Sequence, residues 1–158
     1  EWLKAEPLEV PDDLCIIGFR GGEYSSVPDL FLPQSYFIQG MEYFKSTFTS
    51  NKVWRAQVHT DDTTMAREFF DTTWWRGLEI IDNQPISHSR HTNMALNWRS
   101  ARYAKYAIIP NSAFFILPRL LKHLEDPTAV TIAPRYWAGR NTKMWKRPAC
   151  YYKELFYI

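Results

Sequence analysis

Short apolar runs of strand length alternate with segments of helical periodicity along most of this chain. That alternation restricts the fold more than any single motif. Leu14 to Phe19 is the first such run, entered through Pro11, Asp12 and Asp13 and β-branched at Ile16 and Ile17. The spacing then predicts a helix over Gln34 to Phe48, with apolar Tyr36, Phe37, Met41, Tyr43, Phe44 and Phe48 on one face. A strand over Val53 to His59 and a short helix over Thr63 to Phe70, capped by Asp62 or Thr63, repeat the pattern. Gly77 to Ile81 is a further apolar run, followed by helical spacing from Asn93 to Tyr103 and a strand over Ala104 to Ile109. Ala113 to Leu124 reads as a helix that Pro118 should kink or limit to its first turn, and Ala129 to Ala133 as the last clear strand. Strands alternating with helices imply parallel pairing through right-handed crossovers. The expected architecture is a Rossmann-like three-layer α/β/α domain with a mainly parallel sheet.

A length of 158 residues suits one such domain, with residues 1–13 as a lead-in and 14–158 as a single α/β unit. The composition excludes disorder, and an aromatic share of 16% implies that some rings line a binding surface instead of filling the core. A net charge of +2 gives no global field toward nucleic acid or an anionic membrane, so any anion binding must be local. For the same reason the aromatic and basic segment of Arg135, Tyr136 and Trp137 with Trp145, Lys146 and Arg147 reads as packing over a sheet edge before it reads as a source of sugar and base contacts or as a single-strand nucleic-acid binder. No apolar run approaches a membrane span, and Glu1-Trp2-Leu3-Lys4 lacks the basic and apolar regions of a signal peptide. Without an initiator Met the chain reads as a piece of something longer. Its compartment stays open: cytoplasmic if microbial, Golgi lumen if the parent is an anchored eukaryotic protein. Cys15, inside an apolar strand, and the distant Cys150 are expected to remain thiols.

Polar residues cluster where three strands should end. In the first cluster, Arg20 offers a planar fork of donors suited to phosphate, Gly21 and Gly22 permit positive φ and close approach of a ligand, and Glu23 and Tyr24 follow. The plain alternative is a tight turn with an Arg–Glu surface pair. In the second, Thr60-Asp61-Asp62 has three readings: a Mg²⁺ or Mn²⁺ site, a helix cap with a solvated acid, or a carboxylate accepting from a purine edge, which needs no metal. The third, Asn111-Ser112, stands at a helix start and reads either as a phosphate contact or as a simple N-cap. In an open α/β sheet ligands bind beyond the carboxyl ends of the strands, so these three clusters should converge. His59, His88, His91 and His123 have no partners at metal-site spacing, and no P-loop, nucleophile elbow or full dinucleotide fingerprint is present.

The order of these motifs resembles the C-terminal donor-binding domain of fucosyltransferases, particularly the α-1,2-fucosyltransferase-like family related to α-1,6- and protein O-fucosyltransferases. That domain is the C-terminal half of a GT-B glycosyltransferase. Its His-X-Arg-Arg-Gly-Asp-Tyr motif is similar to Gly18-Phe19-Arg20-Gly21-Gly22-Glu23-Tyr24, and its Ser/Thr-Asp-Asp strand end to Val58-His59-Thr60-Asp61-Asp62. Its serine turn and Ile-Ala-Pro-X-X-Trp stretch are similar to Asn111-Ser112-Ala113-Phe114 and Ile132-Ala133-Pro134-Arg135-Tyr136-Trp137. The resemblance implies a donor domain for inverting transfer from GDP-fucose to a hydroxyl of a glycan acceptor, with no metal and no further cofactor. It maps β-phosphate binding onto Arg20, guanine binding onto Asp61 or Asp62 and phosphate contacts onto Ser112. Glu23 becomes a candidate to orient Arg20 or to act on the acceptor side. An acceptor-binding domain is expected N-terminal to residue 1. Gly18 stands where the family has His, and Gly21 and Glu23 where it has Arg and Asp, which leaves a non-catalytic carbohydrate- or nucleotide-binding module of the same fold as the alternative.

Overall fold

The run Leu14–Phe19 is buried along its entire length, as a strand covered on both faces must be. A computed structural model of the chain describes residues 7–47, 55–70, 77–82, 90–138 and 152–158. In it this run is β1, in the interior of a six-stranded sheet. Around it stand β2 (Arg55–Thr60), β3 (Gly77–Asp82), β4 (Tyr106–Ile108), β5 (Val130–Ala133) and β6 (Phe156–Tyr157), in the order β3-β2-β1-β4-β5-β6. Every neighbouring pair is parallel. The connections carry α1 (Gln34–Thr47), α2 (Thr63–Phe69), α3 (Arg90–Tyr103) and α4 (Ala113–Glu125). The fold is α/β and Rossmann-like, in three layers.

Alternation along β1 divides the core between the two faces. Cys15, Ile17 and Phe19 pack with Tyr36, Phe37, Met41 and Phe44 of α1 and Ala66 of α2. Leu14 and Ile16 pack with Ala101 of α3 and Phe115 of α4 on the other face. Many rings therefore do fill the core. Phe19 meets Phe31, Phe37, Phe69 and Phe70 with centroids 4.8 to 6.1 Å away, three of these pairs edge-to-face, a geometry worth roughly 0.5–1.5 kcal/mol per pair beyond area burial. Tyr36 Oη donates to the carbonyls of Ile109 (2.7 Å) and Ile132 (3.3 Å), tying α1 to the carboxyl ends of β4 and β5.

Two expectations are corrected. Pro118 does not limit α4 to its first turn, since the helix continues to Glu125. The neighbouring Arg119 is wholly buried and anchors the helix beyond the proline, donating to Thr131 Oγ1 (2.8 Å) and to the carbonyls of Ala101 (2.9 Å) and Ala104 (2.5 Å). Nor is Ala129 to Ala133 the last strand, because β6 adds a two-residue edge. Helix α3 begins at Arg90 and β4 is confined to Tyr106–Ile108, small shifts at element ends. The expectations for Glu1 to Lys4, Phe48, Val53, Trp54, His88, Trp145 to Arg147 and Cys150 fall outside the described residues. Cys15 is a buried free thiol, pushed well above its ordinary pKa by burial. No helix among the described residues is long and apolar enough to cross a membrane.

Candidate functional site

Phe19 and Thr60 are partners at the ends of β1 and β2, so Arg20 and Asp61 leave the sheet side by side. Asp61 Oδ2 lies 3.2 Å from Arg20 Nε, while its Oδ1 accepts from the Gly21 N–H at 3.0 Å. Tyr24 holds the other side of the cation, with the guanidinium carbon 5.0 Å from the ring centroid. Glu23 pairs with Arg20 Nη2 at 3.5 Å from a side chain that is 80% exposed, so solvent screens this pair strongly. The Arg–Glu pair of the plain reading is thus present, and a buried-side partner, Asp61, accompanies it.

The two glycines allow close packing. Gly22 has φ 8° and ψ −124°, the positive φ expected of it although outside the left-handed region, and Gly21 lies outside that region too. A Cβ on Gly21 would lie 3.0 Å from Asp62 Cβ and 3.1 Å from Met65 Sδ, and one on Gly22 would lie 3.2 Å from Asp61 Oδ2. Asp62 caps α2 by accepting from the Met65 N–H at 2.9 Å, and its own N–H donates to Thr60 Oγ1 at 3.0 Å. Both carboxylates proposed for a purine edge therefore have partners within the chain, Asp62 as a cap and Asp61 as the counter-charge of Arg20.

On the other side of β1, the chain leaves β4 through Pro110 and Asn111. Asn111 Nδ2 donates to the carbonyls of Leu30 (2.9 Å) and Trp137 (2.8 Å), which pins two loops over the strand ends. Its Oδ1 is buried with no hydrogen-bond partner. Asn111 and Arg20 line one narrow recess, too tight as it stands to hold a water molecule, with Phe19, Leu30, Leu32, Phe37 and Pro110. It sits between the carboxyl ends of β1 and β4, where the strand order reverses direction, the place at which doubly wound sheets bind ligands. Ser112 starts α4 from a buried position and its hydroxyl makes no capping bond; its carbonyl accepts from Phe115 (3.0 Å) and Ile116 (3.2 Å). Arg20, Gly21, Gly22, Glu23, Tyr24, Asp61 and Asp62 thus form one contiguous cluster, Asn111 shares its recess, and Ser112 is not seen to join it.

Gly18 has a steric cause. A Cβ there would lie 2.5 Å from Pro110 Cδ and 2.9 Å from the Phe115 ring, so no larger residue fits without movement of α4. At the same level on β2 stands His59, paired with Gly18 across the sheet. His59 Nδ1 hydrogen-bonds Asn97 Oδ1, its Nε2 is buried without a hydrogen-bond partner, and burial lowers its pKa to about 4. In the sequence His59 was weighed only as a metal ligand; its place after the apolar Val58 in a strand was the available signal of burial. No group of three metal-ligating side chains occurs among the described residues. No protein-family model matches this chain, and neither does a curated protein or a solved structure.

Proposed function

We propose that this chain is the donor-binding domain of an inverting glycosyltransferase of fucosyltransferase type, with GDP-fucose as its donor and a glycan hydroxyl as its acceptor. The observation that supports it is a positioned cation beside an unsatisfied acceptor. Arg20, braced by Asp61 and Tyr24, borders the same switch-point recess as the unpartnered Asn111 Oδ1. In this reading the acceptor oxygen bonds to the sugar's anomeric carbon as the bond from that carbon to the diphosphate oxygen breaks. The electron pair stays on the diphosphate, where Arg20 offsets the growing charge. The hydroxyl proton passes to a carboxylate, for which solvent-facing Glu23 is this chain's candidate. Binding a diphosphate replaces the Glu23 contact, a small loss for a pair so exposed. Gly21 and Gly22 keep the backbone low beside it, and Asn111 Oδ1 is left to accept from the donor.

Calorimetric titration with GDP-fucose tests this. Arg20→Ala should weaken binding at least tenfold, about 1.4 kcal/mol, while UDP-sugars bind poorly to both proteins. Equal affinity for the two proteins would remove Arg20 from the site. A second reading, the non-catalytic module, is favoured by one observation: Pro110 and Phe115 leave no room at Gly18 for the imidazole that the resembling family carries. Donor binding without transfer to any glycan acceptor would support it.

A further inference from the structure

A cavity with a volume near 440 Å³ lies away from Arg20, beyond the carboxyl ends of β5 and β6. That volume falls in the range of small-molecule pockets, at the low end, and suits one or two rings. Its walls combine two chemistries. Tyr136, Phe156 and Tyr157 bring aromatic surface, and Ser35, Gln39 and Arg135 bring hydroxyl, amide and guanidinium groups. Ser35 and Gln39 stand four residues apart on α1, hence on one face of that helix.

The floor is fixed before any ligand arrives. Tyr36 Oη is bound to two strand-end carbonyls, the Arg135 N–H donates to the Ile158 carbonyl at 2.8 Å, and the Ile158 N–H donates to the Ala133 carbonyl at 3.1 Å. Among the described residues that line the groove, Arg135 carries the one charged side chain, and the first turn of α1 beside it holds no acidic residue to offset the helix's positive end. An adaptable hydroxyl and an amide that both donates and accepts match the hydroxyls of a sugar, whose C–H face suits an aromatic wall.

We infer that this groove is a binding site for a saccharide unit that carries an oxyanion, with the ring against the tyrosines and the anionic group at Arg135. The site is independent of the donor reading, since it shares no cation with the Arg20 cluster. A carboxylated, sulfated or phosphorylated sugar would present the same chemistry. Backbone amide shifts of the full chain, titrated with glucuronic acid, N-acetylglucosamine 6-sulfate, glucose 6-phosphate, glucose and inorganic sulfate, identify the source. At least one acidic sugar should shift Ser35, Gln39 and Arg135 more strongly than glucose or sulfate does. Arg135→Gln should weaken that sugar tenfold or more and leave glucose unchanged, Gln39→Ala should weaken both, and Arg20→Ala should change neither. Both groove variants alter exposed side chains, and circular dichroism checks their fold. The inference fails if no acidic sugar moves these amides, if sulfate alone binds as tightly as the sugar, or if Arg135→Gln and Gln39→Ala both bind as the parent does.

Discussion

Arg20 and Gly18 show what a single position in this chain can and cannot reveal. The cation was legible because an Arg between an apolar strand and two glycines has few reasons to be there. Its counter-charge, Asp61, comes 41 positions later and meets it only because β1 and β2 end in register. The glycines were read as conformational devices; Gly22, at φ 8°, agrees with that, and both glycines also have neighbours about 3 Å from where a Cβ would stand. Gly18 carried no signal of its own, since the crowding comes from Pro110 and Phe115 on other elements. Adding one methyl there should strain the contact with α4: Gly18→Ala should lose about 1–3 kcal/mol of stability, measured as a shift of the urea midpoint at constant slope. An unchanged midpoint would mean that the backbone relaxes freely and that His could be accommodated.

At the scale of elements, the strands and helices were legible because nearly all are long enough to show a period. Strand β6 was not, because two residues have no period to show. The first-turn limit expected at Pro118 failed for a different reason. Local propensity lost to packing, because the buried face formed by Phe115, Pro118 and Arg119 carries the helix past the missing bond. A basic residue beside a proline looks like a surface residue in sequence. Here Arg119 reaches across to the last carbonyls of α3 and to Thr131 of β5, joining both elements to α4. Burial lowers its pKa to about 10, still far above neutrality, so the cation remains charged. Arg119→Ala would leave those carbonyls unsatisfied in the core and should cost about 3–5 kcal/mol in urea unfolding. A loss under 1 kcal/mol would show that water or neighbouring side chains replace the guanidinium.

For the molecule as a whole, stability should depend on pH through His59. Its folded pKa of about 4 lies below the ordinary 6.5 because burial penalises the imidazolium, so the unfolded chain binds more protons in that window. Stability is full above pH 6.5 and falls as pH drops toward 4, by up to about 3 kcal/mol. His123, lowered mainly by burial, adds to the loss with the same sign. Urea unfolding between pH 7.5 and 4 should show the decline in the parent and a much flatter profile in His59→Gln. Identical slopes would assign the acid sensitivity elsewhere.

The same whole-molecule view separates what topology supplies from what chemistry must. Alternation along the sequence led to the doubly wound sheet, and the sheet led to convergence of Arg20, Asp61 and Asn111 at one edge. It did not lead to the groove at Arg135, whose walls come from α1, the segment after β5 and the unanticipated β6. The central claim concerns the switch point, and an amide shift map of the full chain with GDP-fucose tests it most directly. The expected result is a saturable set of shifts at Gly21, Gly22, Asp61 and Asn111, abolished in Arg20→Ala. Saturable shifts that bypass these four residues, or that persist undiminished in Arg20→Ala, would contradict it.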